Sequence, residues 1–272
     1  MKTLKVATWN INSVRLRVAS VARFVEQANI DVLCLQETKV ANELFPMEAF
    51  AVMGLPHVEI HGQKGWHGVA TASRLPLERL DCPDHCMHGH PRALSVKVAG
   101  IEVHNLYVPA GGDIPDPDEN DKFRHKLDFL DRMGDFYAAR ARKRSAPPLV
   151  LVGDLNVAPF ESDVWSHKQL LKIVSHTPEE TTRLNSIRER GKFTDVVRAV
   201  MPEPERIFTW WSYRSPDWQK NNRGRRLDHI WATGAAAEAA TLRGRDGIGV
   251  HVDCRNWDLP SDHVPVTATL VL

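Results

Sequence analysis

Surplus charge is the first thing this sequence lacks. Its 272 residues carry 35 Lys and Arg against 34 Asp and Glu, a formal net charge of +1. A chain so balanced has no globally basic surface, so a polyanionic partner must be met by a local patch. Cysteines are few, at 34, 82, 86 and 254, and offer no disulfide framework. Cys34 stands inside an apolar run and reads as a small hydrophobe. No apolar stretch approaches the ~20 residues that span a bilayer, so no membrane role is expected. Met1-Lys2-Thr3 runs directly into a strand pattern, which speaks against a secretory signal and for a cytoplasmic protein with reduced thiols. No Gly/Ser linker, repeat or low-complexity segment divides the chain. With 43% hydrophobic residues, one large domain over residues 1–272 is expected.

What is present is a set of apolar runs that end in polar residues. Strands are predicted over 4–9, 32–36, 67–73, 93–98, 101–108, 148–153, 227–232 and 264–271. Apolar residues at helical spacing predict helices over 14–28 and 123–141. Mixed strands and helices give an α/β class. The basic run Arg140, Arg142, Lys143, Arg144 follows the second helix. It is read as favourable charge at a helix C-terminus.

The most informative run is Leu149-Val150-Leu151-Val152-Gly153-Asp154-Leu155-Asn156. Alternation along an extended chain points Asp154 and Asn156 the same way. A carboxylate beside a carboxamide can hold a water, a metal or a phosphoryl oxygen. Taken alone, a Gly-Asp turn has a sufficient backbone explanation. Three further runs end similarly: Asn10 and Asn12 after 6–9, Gln36 and Glu37 after 32–35, and Asp262-His263 before the last strand. Turn chemistry does not account for that recurrence.

The pieces Trp9-Asn10-Ile11-Asn12-Ser13-Val14-Arg15, Leu35-Gln36-Glu37-Thr38-Lys39, His61-Gly62-Gln63-Lys64-Gly65, Asn105-Leu106-Tyr107-Val108-Pro109, Gly153-Asp154-Leu155-Asn156, Arg226-Leu227-Asp228-His229-Ile230 and Ser261-Asp262-His263-Val264-Pro265-Val266 follow in order along nearly the whole chain. Together they resemble the exonuclease III family of apurinic/apyrimidinic endonucleases, within the endonuclease–exonuclease–phosphatase superfamily. The resemblance implies a four-layer α/β sandwich, two packed mixed β-sheets flanked by helices, with catalytic loops at one end. It implies a monomeric, metal-dependent DNA-repair phosphodiesterase that cuts duplex DNA 5′ to abasic sites and acts on 3′ ends as a 3′→5′ exonuclease and 3′-phosphatase.

Phosphodiester hydrolysis must neutralise charge, place a water in line and stabilise the leaving oxygen. Glu37 is the expected ligand of a hard cation such as Mg²⁺, with Mn²⁺ able to substitute. Asn10 assists it in the family, and Asp262 is expected to serve the metal or the attacking-water network. His263 can contact phosphate as a cation or act as a base, and Asp228 is its expected orienting partner. Asp154 is expected to activate water or to handle the leaving-group proton. Asn156 would orient the phosphate or Asp154, and Tyr107 would hydrogen-bond the scissile phosphate.

The segment from Phe208 to Leu227 interleaves aromatics and cations, which supplies the local basic surface. Lys64, Trp210, Arg214, Arg223, Arg225 and Leu227 are the expected DNA-binding residues. Periodicity alone would equally put one of Trp210 and Trp211 in the core. Trp210 and Leu227 fall at pocket positions of the family. Arg225 stands where relatives carry an apolar or aromatic residue, and is expected to hold a flanking phosphate or lie over Trp210. The loop 111–119 is acidic and Gly-rich, unlike a DNA wedge. Cys82 to His90 holds soft ligands, but at spacings foreign to paired zinc motifs, and is read as a polar connection between strands.

Two other functions compete. A catalytically dead nucleic-acid-binding regulator on this fold should have lost the polar set that is present here. A superfamily phosphatase acting on inositol phosphates or sphingomyelin would not need the Trp/Arg segment at 208–227.

Overall fold

A computed structural model describes residues 2–82, 85–215 and 217–272. Two six-stranded sheets carry the fold. The first runs β11 (Ile248–Val250), β12 (Val266–Val271), β1 (Thr3–Asn10), β2 (Val32–Gln36), β4 (Val69–Ser73), β3 (His57–His61). The second runs β5 (Glu78–Leu80), β6 (Ala93–Val98), β7 (Ile101–Tyr107), β8 (Leu149–Asp154), β10 (Asp228–Ala232), β9 (Thr194–Asp195). Each sheet has one parallel pair at its centre, β1 with β2 and β7 with β8, and antiparallel neighbours elsewhere. Among the described residues, four helices reach eight residues or more: α1 (Val18–Ala28), α2 (Asp121–Ala141), α3 (Pro178–Arg190) and α4 (Gly234–Thr241).

Strand periodicity explains the layering. Val6 and Val32 join Val96, Val150 and Val152 in the core between the sheets. Their neighbours Ala7, Trp9 and Leu33 face the other way, onto Val21, Phe24 and Val25 of α1. On the far side, Leu149 and Leu151 pack under Phe129, Leu130 and Met133 of α2 and Leu184 and Ile187 of α3. Each central strand is thus apolar on both faces, as a sheet covered on both sides requires. The expected four-layer sandwich is the observed one. No helix among the described residues is long and apolar enough to cross a membrane.

The boundaries differ from expectation by a residue or two, and most at the first helix. The helix predicted from Val14 begins at Val18. Asn12 and Ser13 take positive φ of 47° and 88°. The N–H groups of Ser13 and Val14 donate to Glu37 O and Thr38 O, so this backbone is committed to the segment after β2. The Arg17 guanidinium bonds Ile11 O and Leu259 O and holds the turn in place.

Candidate active site

The central strands of both sheets end together. Asn10 and Gln36 are register partners at the ends of β1 and β2. Tyr107 pairs with Asp154, and Asp154 with Asp228, across β7, β8 and β10. Gly153 makes this close approach possible. Its φ is 145°, and a Cβ there would stand 1.9 Å from Leu106 O, so only glycine fits before Asp154.

The side chains converge into one hydrogen-bonded set. Asn10 Nδ2 donates to Glu37 Oε1 and to Asp154 Oδ2, both at 2.9 Å. Asn10 Oδ1 accepts from Asn12 N, so in this arrangement the amide bridges two carboxylates with its donor side. Tyr107 donates its hydroxyl proton to Glu37 Oε1 at 2.7 Å, and Lys39 Nζ lies 2.9 Å from Glu37 Oε2. Asn156 donates from its backbone to Asp154 Oδ1 and from Nδ2 to Asp154 Oδ2 and Val108 O. His263 Nδ1 is 2.8 Å from Asp228 Oδ2, and its Nε2 lies 3.7 Å from Asp154 Oδ2. Asp262 accepts from Trp210 Nε1 and Asn12 Nδ2, while facing the same cavity as Glu37 and Asp154.

Burial sets the electrostatics. It raises the Asp154 carboxyl above the usual range, helped by the charge of Asp228 and opposed by His263 and Asn10. Burial works against a charged His263, but Asp228 and Asp154 outweigh it and push the imidazole up. Glu37 also meets a burial penalty. Lys39, Asn10 and Tyr107 more than offset it and hold this carboxyl below its ordinary value. Burial drives the Tyr107 phenol well up, with the charge of Glu37 adding to it, so the group stays a proton donor. The set therefore holds one firmly ionised carboxylate, one carboxyl inclined to carry a proton, and a protonated imidazole fixed by a second carboxylate. That combination can bind a phosphate, position a water and move a proton.

Among the described residues, Asp154, Asp228 and His263 form the close acid–imidazole group, with ligand atoms within 4.8 Å of one another. Glu37 joins it through Asn10. Glu37, Asp154 and Asp262 turn carboxylate oxygens to one cavity and fit a hard divalent cation. Asn10, expected to assist the metal, instead presents its NH2 group to Glu37 and Asp154 and its oxygen to Asn12 N–H.

One cavity opens over the set and a second adjoins it. The first, of about 480 Å³, is floored by Glu37, Asp154, Asn156, Asp262 and His263. The other, of about 610 Å³, is lined by Trp165, Leu170 and Trp211. Trp210, Arg214 and Arg225 border both. Leu227 lines the first and Arg223 the second, where Arg223 lies 4.7 Å over the Trp165 ring. Lys64 is exposed in the β3–β4 connection and lines neither.

Parts of the expected basic surface turn inward. Trp211 is 3% exposed and packs with Phe208 and Val264. Arg226 is fully buried and bonds Asp163 and Asp195, because a cation at that depth needs paired carboxylates. Arg225 takes the stacking alternative. Its guanidinium lies 5.2 Å over Trp210, and Nη1 donates to Val174 O and Ser175 Oγ at 2.9 and 2.7 Å. It braces a wall of the cavity.

Sequence reading passed over several supports. Lys126 of α2 reaches under the site to Asn156 O and Ala110 O. Thr209 Oγ1 accepts from the N–H groups of Leu227 and Asp228. The Asn156 carbonyl has no sequence signature. A lysine amid the apolar positions of a helix is a detectable one.

Comparison with known proteins agrees with this geometry. Residues 7–263 match the Endonuclease/Exonuclease/phosphatase family. An exodeoxyribonuclease III of Haemophilus influenzae is 29% identical over 280 residues, covering 97% of this chain and 99% of its own. An AP endonuclease from Archaeoglobus fulgidus superposes with a TM-score of 0.89 at 34% identity, over 99% of this chain and all of the other. The 3′ phosphatase NExo from Neisseria, bound to a product DNA hairpin, gives 0.87 at 30% identity, again over 99% of this chain and all of its own.

Proposed function

The chain belongs to the Endonuclease/Exonuclease/phosphatase family, and on that premise we propose that it is a metal-dependent DNA-repair phosphodiesterase. It cleaves duplex DNA 5′ to abasic sites, leaving a 3′-hydroxyl and a 5′-deoxyribose phosphate, and trims 3′ ends as an exonuclease and 3′-phosphatase. The observation that carries this reading is Asp154. It is buried among Asn10, Asn156 and His263 at the floor of a cavity walled by Trp210, Leu227 and Arg225.

A divalent cation of the Mg²⁺ type, held by Glu37 with Asp154 and Asp262 at hand, would neutralise phosphate charge and stabilise the leaving oxygen. The chain's own groups do the rest. His263, kept protonated by Asp228, offers Nε2–H to a phosphate oxygen. Tyr107 can swing its hydroxyl from Glu37 to the same phosphate. Asp154, inclined toward its protonated form, exchanges a proton either with the attacking water or with the departing oxygen. Asn156 fixes both Asp154 oxygens. Trp210 and Leu227 receive a sugar stripped of its base, and Arg214 and Arg223 hold flanking phosphates.

The test is an end-labelled duplex with a single abasic analogue, run beside an intact duplex and one bearing a 3′-phosphate, with Mg²⁺ and with chelator. Incision 5′ to the abasic position with Mg²⁺ alone is expected. Cleavage that persists in chelator, or no incision with phosphate release from small organic phosphates, would overturn the reading.

A further inference from the structure

The connection between β5 and β6 carries chemistry that the active site does not use. Cys86, His88 and His90 stand on it at alternate positions. The fold then adds two imidazoles from distant segments. Cys86 Sγ lies 3.2 Å from Nε2 of His125, in the first turns of α2. The His125 ring is 4.3 Å from that of His88 and 6.0 Å from that of His90. His67, from the β3–β4 connection, stacks on His90 at 4.5 Å. Residues 83 and 84 of the connection lie outside the described residues.

One imidazole of this cluster touches the thiol and two more stand within 6.0 Å of that imidazole. A neutral imidazole presents a nitrogen lone pair and is a common metal ligand. A borderline-soft ion takes such donors, with metal–sulfur bonds of about 2.3 Å and metal–nitrogen bonds of about 2.0 Å. On one tetrahedral ion these lengths separate S and N by about 3.5 Å. The Cys86–His125 pair already stands near that distance.

We propose that Cys86, His88, His90 and His125 form a binding site for Zn²⁺ or a similar transition-metal ion, pinning the β5–β6 connection to α2. The spacing within 82–90 matches no paired zinc motif, and the proposed set draws one ligand from a helix far along the chain. Cys86 and His125 are the preformed half. His88 is exposed and closes the set by side-chain rotation, since the four ligand atoms do not yet converge and ion binding completes such a site. As the metal–sulfur bond forms, the Cys86 thiol releases its proton to solvent. Mg²⁺ does not compete, because it demands oxygen ligands. The site is distinct from the Asp154–Asp228–His263 group, which contains no thiol. It adjoins that region through His67, whose ring is 6.2 Å from that of Tyr107.

The test uses the whole chain, stripped of metal, under a non-chelating reductant and excess Mg²⁺. Co²⁺ is added and the near-ultraviolet thiolate-to-cobalt charge-transfer band is followed; Zn²⁺ is then titrated against it. A band that Zn²⁺ bleaches at one equivalent is expected. Cys86→Ser should abolish the band, and Asp154→Asn should keep it. His88→Ala, at an exposed position, should fold normally and weaken Zn²⁺ binding at least tenfold. Absence of the band in the wild-type chain overturns the proposal. So does unchanged Zn²⁺ affinity in both His88→Ala and His125→Ala.

Discussion

Lys126 Nζ donates to the carbonyl oxygen of Asn156 at 2.7 Å with no solvent exposure at all. The same ammonium bonds Ala110 O and pairs with the fully buried Glu180. One cation thereby ties the loop after β7 to the loop after β8, directly behind Asp154. Glu180 in turn accepts from the N–H groups of Ser175 and Thr177, which anchors the cavity wall that Arg225 touches. Burial pulls the Lys126 ammonium down from its ordinary value, against the attraction of Glu180.

Lys126→Met should therefore destabilise the fold severely. It strands the Glu180 charge, and breaking a buried pair typically costs ~3–5 kcal/mol. Replacing both partners, as Lys126→Met with Glu180→Gln, should recover much of that loss without restoring turnover, because the Asn156 and Ala110 carbonyls remain untied. Urea unfolding and single-turnover cleavage of the two variants measure the two effects. Equal recovery of stability and turnover would reduce Lys126 to a stabilising role only.

Asp154→Asn should abolish turnover, by ~10²–10⁴-fold for a group that moves a proton. It should also raise stability at neutral and alkaline pH. The reason is the direction of the Asp154 shift. A carboxyl raised by folding binds its proton more tightly in the native state, so native stability falls as pH climbs from the ordinary carboxylate range through the folded value. Asparagine carries no such charge and escapes the fall. The stability gain should vanish in acid, where Asp154 is protonated in both states. Thermal unfolding across pH in chelator tests this. A variant that is less stable at pH 8 would mean that the Asp154 charge stabilises the fold.

His263→Ala should cost turnover on a similar scale while the chain still folds. The raised His263 imidazole acts in the same direction on the wild type, over a higher pH range. Its pairing with Asp228 contributes stability that is present below the ordinary histidine value and is lost as pH rises through the folded one. The variant should thus lose most stability at low to neutral pH and approach the wild type in alkali. A stability deficit that does not change with pH would remove the ion pair from the explanation.

Glu37→Gln should raise the Mg²⁺ concentration for half-activity by roughly 10–100-fold, the scale seen even for residues that only orient a metal ligand. The motive is that Glu37 is the carboxylate held below its ordinary value by Lys39, Asn10 and Tyr107. Duplex affinity in chelator should hardly change. An unaltered Mg²⁺ titration would move the cation away from Glu37.

The strands that build the centre were legible because they are buried on both faces and read as apolar runs. Asp154, Glu37, Asp228 and His263 were legible because they end such runs. The edge strands β3, β5 and β11 were not. His57–His61 and Ile248–Val250 are only partly buried, so they carry no clear alternation. Helix α3 was missed despite its signals. Thr177 and Glu180 form a capping box with Pro178 at the first turn, yet only Leu184 and Ile187 give it an apolar face. Composition put Arg226 within a basic, aromatic segment, and periodicity left open which of Trp210 and Trp211 is core. What put Arg226 and Trp211 inside was Asp163 and Asp195, and Phe208 and Val264, partners that become neighbours only through the fold.

Arg225 carries the sharpest remaining question. In sequence it looks like a phosphate clamp, and in space it is a brace. Its Nη1 is committed to Val174 O and Ser175 Oγ. Its guanidinium carbon lies over the Trp210 ring at a half-buried position, where a cation–π contact contributes ~0.5–2 kcal/mol. Losing it should let the 173–175 wall and the Trp210 ring relax, and so widen the cavity toward normal nucleotides. Arg225→Ala is expected to lower discrimination between abasic and intact duplex by about tenfold, which is ~1.4 kcal/mol. The salt dependence of binding should change by much less than the slope of about one that a lost phosphate contact brings. Arg225→Lys should not restore discrimination, because an ammonium lacks the planar fork that bonds the wall while lying flat on an aromatic ring. Affinities for both duplexes across a salt series separate the two roles. A slope reduced by about one with discrimination intact would make Arg225 a phosphate contact after all.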